Sequence, residues 1–166
     1  MNLLEDRIKL DEIDLHILEI LQRDGRLSNT KLAKEVGLSA PPMLERVKKL
    51  ERSGVIKSYR AILDAEKIGR SFFVFAAINL NVKALSNAAS FEESVAAMSE
   101  VLECHHIAGD IDFLLKINVQ DQEGYKQFVI EKLAGIEGIK GIRSWVVLST
   151  FKDSNELSIS RKINPQ

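Results

Sequence analysis

Three stretches of this 166-residue sequence hold residues whose types and spacing could do chemistry. Cys104-His105-His106 sets a thiol beside two imidazoles, the donor types of a metal site or of a nucleophile–base pair. Gly109-Asp110-Ile111-Asp112 puts two carboxylates either side of one residue. At a turn, such a pair could hold an ammonium through a carboxylate while exposed peptide N–H groups hold a carboxylate. In the alternative reading Asp110 merely makes the turn. The third stretch is a basic block. Residues 23–60 carry ten Lys and Arg against four Asp and Glu, a balance of +6. Residues 1–22 balance to −4 and residues 61–166 to −3, so the net charge of −1 conceals the block. A cationic segment in a mildly acidic chain suits a polyanion, with an ordinary solvated helix surface as the alternative.

Of the three, the cysteine–histidine run is the weakest. If it lies on a strand, neighbouring side chains point to opposite faces, so His105 cannot share a ligand with Cys104 or His106. Cys104 and His106 share a face but have no visible further donors, and no third group orients a catalytic pair. No metal and no cofactor is expected. Gly-x-Gly-x-x-Gly, P-loop, Gly-x-Ser-x-Gly and Cys-x-x-Cys motifs are all absent. An enzyme is therefore disfavoured. The longest apolar run, residues 72–78, is far short of the roughly 20 residues of a membrane span. Met1-Asn2-Leu3-Leu4-Glu5-Asp6 lacks the basic and apolar regions of a secretory signal, and one cysteine cannot form an internal disulfide. A cytoplasmic protein is expected.

The elements that must position these residues fall into two modules. Asp11 is suited to cap a helix carrying Ile13, Ile17, Leu18 and Leu21, which Asp24-Gly25-Arg26 ends, with Gly25 in the left-handed position. Ser28 starts a short second helix carrying Leu32, Ala33 and Val36. Gly37-Leu38-Ser39 turns into a third helix, with Pro41 and Pro42 in its first turn, where missing N–H groups are harmless. Its expected inward residues are Leu44, Val47 and Leu50, leaving Pro42, Glu45, Arg46, Lys49 and Arg52 outward with Lys48 beside them. Gly54 closes it, and residues 55–63 read as extended. Helix, helix, glycine turn, helix, strand is the order of a winged helix-turn-helix.

A cationic helix of this kind suits a major groove. The Arg46 fork is expected to read guanine, and Lys49 and Arg52 to meet phosphates. Ser28, Asn29 and Lys31, at the start of the second helix, are further DNA-contact candidates.

Residues 64–71 read as a linker, after which the period changes. Residues 72–81 alternate two largely apolar faces as a buried strand, and Ser90-Phe91-Glu92-Glu93 resembles a capping box for a helix bearing Phe91, Val95 and Met98. Residues 101–108 and 111–119 form a hairpin through a tight turn at Gly109-Asp110. Asp121 caps a helix with Tyr125, Phe128, Val129 and Leu133 inward; residues 139–151 return to strand, and 155–160 suit a final edge strand. The order βαββαβ specifies a ferredoxin-like sandwich with both helices on one face. Its other face needs a cover, for which a second subunit is the simplest candidate.

In order along the chain, several runs resemble the Lrp/AsnC family of transcription regulators. They are Leu10-Asp11-Glu12-Ile13-Asp14, Asp24-Gly25-Arg26-Leu27-Ser28, Leu32-Ala33-Lys34-Glu35-Val36-Gly37-Leu38-Ser39 and Leu44-Glu45-Arg46-Val47-Lys48-Lys49-Leu50-Glu51. Cys104-His105 followed by Gly109-Asp110-Ile111-Asp112-Phe113-Leu114-Leu115 is similar to the signature of that family's second domain. The resemblance implies an α+β chain with a DNA-binding domain over 1–63 and a ferredoxin-like (RAM-type) effector and oligomerisation domain over 72–166. It implies dimers, often assembled into octamers, and an amino-acid effector bound between subunits. By resemblance, Ser39, Pro42 and Arg46 match the reading end of the recognition helix. Gly109, Asp110 and Asp112 match the hairpin lining the effector site, and Val146 and Val147 match positions associated with effector response. Two rivals stand beside this reading: an enzyme built on the ferredoxin-like half, and a sensor that binds protein partners.

Overall fold

The computed structural model describes residues 8–159, so the N-terminal hexapeptide and Ser160 of the expected edge strand lie outside the described residues. The chain forms two compact units. One comprises residues 8–62 together with 152–159, the other residues 63–151.

In the first unit, α1 (Glu12–Arg23), α2 (Asn29–Val36) and α3 (Ala40–Arg52) follow the expected order. Asp11 begins α1 with a reciprocal cap: its carboxylate accepts the Asp14 N–H at 2.7 Å, and the Asp14 carboxylate accepts the Asp11 N–H at 3.4 Å. Ser28 caps α2, and Gly37 takes the turn into α3 at φ +75°, where a side chain would be strained. Gly25 corrects the expectation placed on it. Its φ is not positive; a Cβ there would meet the Tyr59 ring at 3.3 Å, so its value is close approach.

Ile17, Leu32, Ala33, Met43, Val47 and Leu50 form the core. At about 1.5–3 kcal/mol per large apolar side chain, this cluster is the main support of the unit. Met43 takes the place expected of Leu44, which is 38% exposed. The unbranched thioether fills the space toward the other helices, and the inward face turns toward Met43 while keeping Val47 and Leu50. Residues 57–64, which fall in the stretch expected to be extended, form no strand and join no ladder among the described residues.

The tail departs from the expected plan. Residues 152–159 form no strand and belong with the first unit rather than the second. The Gln22 carboxamide donates to the Leu157 carbonyl at 3.1 Å and accepts the Leu157 N–H at 2.7 Å. A side-chain amide thereby does for one residue what a neighbouring strand would do.

The second unit begins with an ordered turn. The Asp64 carboxylate accepts the Glu66 and Lys67 N–H groups, and the Arg70 N–H returns to the Ala65 carbonyl. Strands β1 (Phe72–Leu80), β2 (Val101–His106), β3 (Phe113–Val119) and β4 (Ile139–Val146) make one antiparallel sheet in the order β2-β3-β1-β4. Helices α4 (Val82–Leu85), α5 (Ala88–Ala96) and α6 (Gln122–Phe128), the last continued by a π-helical turn over Val129–Leu133, complete the βαββαβ order.

Val74, Ala76, Ile78, Phe113, Leu115 and Ile117 bury one sheet face with Phe91, Val95, Phe128 and Leu133 from the helical elements. The other face, with Phe73, Phe75, Leu114 and the half-exposed Trp145, has no cover among the described residues. Three boundaries differ from expectation. Helix α5 starts at Ala88, so Ser90 lies inside it and makes no capping box. The hairpin connection spans residues 107–112 instead of two residues, and β4 ends at Val146.

The Lys132 ammonium donates to the Glu100 carboxylate at 2.6 Å and holds its pKa below the ordinary 4.5. A lowered carboxylate pKa adds stability that is complete above 4.5 and is lost as pH falls through the folded-state value. Lys132→Met should therefore lower the urea midpoint at pH 7 and narrow the difference between midpoints at pH 7 and pH 3.

Candidate functional site

The outer surface of α3 follows from how the helix begins. Ser39 is the N-cap, and the residues whose N–H groups an N-cap hydroxyl normally accepts are Pro41 and Pro42. The Ser39 side chain consequently makes no cap bond and stays exposed. With Met43, Val47 and Leu50 inward, Pro41, Glu45, Lys48 and Arg52 follow one another at helical spacing along the solvent side. Among the described residues Lys48 is paired only with Glu45, at 3.5 Å, and both side chains are about half exposed or more. Arg52 is exposed. Ser28, Asn29 and Lys31 lie together at the start of α2, with Asn29 half-buried.

Arg46 does not stand where the sequence places it. With the wheel rotated, its Nη1 donates to Asp11 Oδ2 and to Asp14 Oδ1, each at 2.7 Å, and its side chain is only 28% exposed. Asp14 is fully buried, and its second oxygen accepts from the Lys49 ammonium at 3.3 Å. Bonds to the two carboxylates raise the Arg46 pKa, so it is always charged. Burial pushes the Asp11 carboxyl up, but the Asp14 N–H and the Arg46 guanidinium outweigh it and hold the value below the ordinary one. At the other end of α1, burial and then the Glu51 carboxylate that accepts its hydroxyl push Tyr59 up to about 12, so it remains a neutral donor. The carboxylate partners of Arg46 were not foreseen. The available signal was Asp14 itself, an acid set at helical spacing among Leu10, Ile13 and Ile17.

In the second unit the Gly109–Asp112 hairpin is fastened to the end of β1. The Asp112 N–H donates to the Ile78 carbonyl, its carboxylate accepts the Leu80 N–H at 2.7 Å, and the Asn79 amide donates to the Asp110 carbonyl at 3.0 Å. A cleft of about 480 Å³ opens beside it, lined by Asn79, Asp112, Lys140, Gly141 and Arg143 among others. The Asp110 carboxylate, almost fully exposed, lies 3.5 Å from Arg143. Two carboxylates and two cations about one cleft can complement a zwitterion. Sequence reasoning missed Asn79, Lys140 and Arg143. Asn79 carried a signal as the polar residue that ends an apolar run; the other two depend on the register of β4.

Gly109 is exposed, and a Cβ there would meet only Ile107, at 4.0 Å. Val146 and Val147 are not brought to this cleft. Val146 pairs with Val74 and the Val147 N–H bonds Phe73, about 13 and 17 Å along β1 from Ile78. Cys104 and His105 point to opposite faces as expected; His105 pairs with Glu103, and His106 stacks on Phe113 at 4.7 Å.

Comparison with known proteins covers most of the chain. Residues 10–57 match the model described as winged helix-turn-helix DNA-binding, and residues 74–157 match the Lrp/AsnC ligand binding domain. The leucine-responsive regulatory proteins of Escherichia coli K12 and Klebsiella pneumoniae are 42% identical over 153 residues, 92% of this chain and 93% of theirs. A transcriptional regulator from Neisseria meningitidis, solved with L-Met, superposes with a TM-score of 0.85 at 33% identity, covering 90% of this chain and 97% of that one. An AsnC family regulator from Agrobacterium tumefaciens gives 0.84 at 36% identity, with the same coverage.

Proposed function

This chain belongs to the Lrp/AsnC family of DNA-binding transcription regulators, and we propose that it couples DNA occupancy to an amino acid bound at the Gly109–Asp112 hairpin. The observation that carries the proposal is the conjunction, in one chain, of a helix-turn-helix with an exposed Lys48–Arg52 edge and a cleft holding charges of both signs. At the DNA, Lys48 and Arg52 meet phosphates, Ser28, Asn29 and Lys31 hold the start of α2 to the backbone, and Pro42 packs at the groove. The Ser39 hydroxyl, released from capping by two prolines, is available to a phosphate oxygen.

At the cleft, Asp110 and Asp112 receive the ammonium of the amino acid, and Arg143 and Lys140 receive its carboxylate. The L-Met found with the Neisseria relative supports this class of ligand. Val146 and Val147 reach such a site only from another copy. The uncovered sheet face, with Phe73, Phe75, Leu114 and Trp145, supports a dimer covered by a second copy, and the family resemblance extends this to a higher assembly, up to an octamer. The protein acts in the cytoplasm, where its DNA is, and by binding rather than turnover. Because recognition helices on a symmetric assembly have a fixed separation, a ligand that prefers one assembly shifts which half-site spacings are occupied together.

Titration against the duplex upstream of its own gene, with and without pooled amino acids and at two salt concentrations, tests the proposal. Specific binding that weakens with salt and shifts with the pool is expected; binding indifferent to every amino acid would remove the effector half. Asp112 must be probed with care, since its carboxylate holds the Leu80 N–H. Asp112→Ala should cost about 1–3 kcal/mol of stability by stranding that donor. Asp112→Asn, which keeps an acceptor, should preserve the melting temperature and DNA affinity while lowering the response to amino acid.

A further inference from the structure

The recognition helix carries four cations, Arg46, Lys48, Lys49 and Arg52, and the first turn of α1 presents two carboxylates to two of them. We infer that Arg46 is a positioning residue that sets α3 against α1, and that DNA is met by the opposite edge, at Lys48 and Arg52. This assignment rests on the reading of α3 as the DNA-facing helix and specifies which of its side chains do the work.

The geometry separates the four cations. Asp14 is fully buried, and a buried carboxylate is tolerated only with charged or hydrogen-bonded partners. Its Oδ1 has Arg46 at 2.7 Å; its Oδ2 has Lys49 at 3.3 Å and the Asp11 N–H at 3.4 Å. Turning Arg46 toward a base would take the shortest partner from Asp14 and the guanidinium from Asp11 at once. One nitrogen that reaches two carboxylates three residues apart also fixes both the rotation and the height of α3 on α1.

Lys49 is held less closely and remains half exposed. The Lys48–Glu45 pair is of the exposed kind that contributes little, so exchanging Glu45 for a phosphate meets little resistance. Two of the four cations are thus balanced internally, and two are left for the polyanion.

The salt dependence of DNA binding tests this assignment, because each phosphate neutralised adds about 0.9 to the slope of log K against log salt. On one specific and one scrambled duplex, Lys48→Ala should make the slope shallower by about 0.9. Arg46→Met should weaken binding but leave the slope unchanged. Asp14→Asn combined with Arg46→Met should bind no worse than Arg46→Met alone, since both substitutions break one unit. A slope shallower by about 0.9 for Arg46→Met would overturn the assignment while leaving the DNA-binding reading intact. Loss of salt-dependent binding by the unaltered protein would overturn both. If Arg46→Met does not fold, Arg46→Lys keeps a charge between the carboxylates. Positioning then requires unchanged base preference, and preference lost at one base pair would mark a base-reading fork.

Discussion

Gly138→Ala lowers the stability of the ferredoxin-like unit by about 2–5 kcal/mol, the largest effect expected of any single methyl group in this chain. Two costs combine at this position. Its φ of +94° lies where a side chain is strained by about 1–2 kcal/mol. A Cβ there would also collide with the Ala84 Cβ, which has no rotamer to yield, so α4 must move away from the start of β4. That displacement strains the bond from the Asn81 N–H to the Gly138 carbonyl, and overpacking of this kind costs about 1–3 kcal/mol. For a unit of this size the melting temperature should fall by roughly 10–30 °C. Gly141→Ala is the matched control. It lies in β4 with open space at its Cβ and no positive φ, and should change stability by about 0.5 kcal/mol or less. A loss of only about 1–2 kcal/mol would show that α4 yields freely, and equal melting of the two variants would contradict both costs.

Lys48→Ala with Arg52→Ala has the largest expected effect on DNA binding. Removing two phosphate partners makes the log–log salt slope shallower by about 1.8. The loss of affinity between 50 and 200 mM salt then becomes about tenfold smaller than for the unaltered protein. Specific and scrambled duplexes should weaken alike, because phosphates carry no sequence. The core residues Met43, Val47 and Leu50 are untouched, so the melting curve should not move. A preserved slope would place the phosphate contacts elsewhere, with Lys31 and Lys49 the next to replace.

The local signals in the sequence were sufficient for most of this architecture. Asp11, Ser28 and Asp121 cap the helices they were expected to cap, and the period change at Phe72 marks the first strand. The recognition helix was misread because Met43 and Leu44 are adjacent and both apolar. Either completes a stripe with Val47 and Leu50, and the two wheels differ by one residue. The choice is made by what faces the helix, namely the first-helix core and the buried Asp14, and no local pattern encodes that. The effector cleft was half legible for a related reason. Gly109-Asp110-Ile111-Asp112 is continuous in sequence, whereas Asn79, Lys140 and Arg143 meet it only through strand register. Ser90 misled in the opposite way: a capping pattern was present, but the helix runs back to Ala88 behind the short turn of α4.

The Gln22–Leu157 clasp bears on the order in which a nascent chain acquires its contacts. The helix-turn-helix core, from Ile17 to Leu50 with Val55 and Ile56 against it, is synthesised early and consists of local contacts. Leu157 is synthesised about 95 residues after Ile62, roughly 5–20 s later at ordinary elongation rates. During that interval the Gln22 amide is bonded to water, and the whole second unit is made before its peptide partner arrives. The DNA-binding unit therefore begins folding first and finishes last.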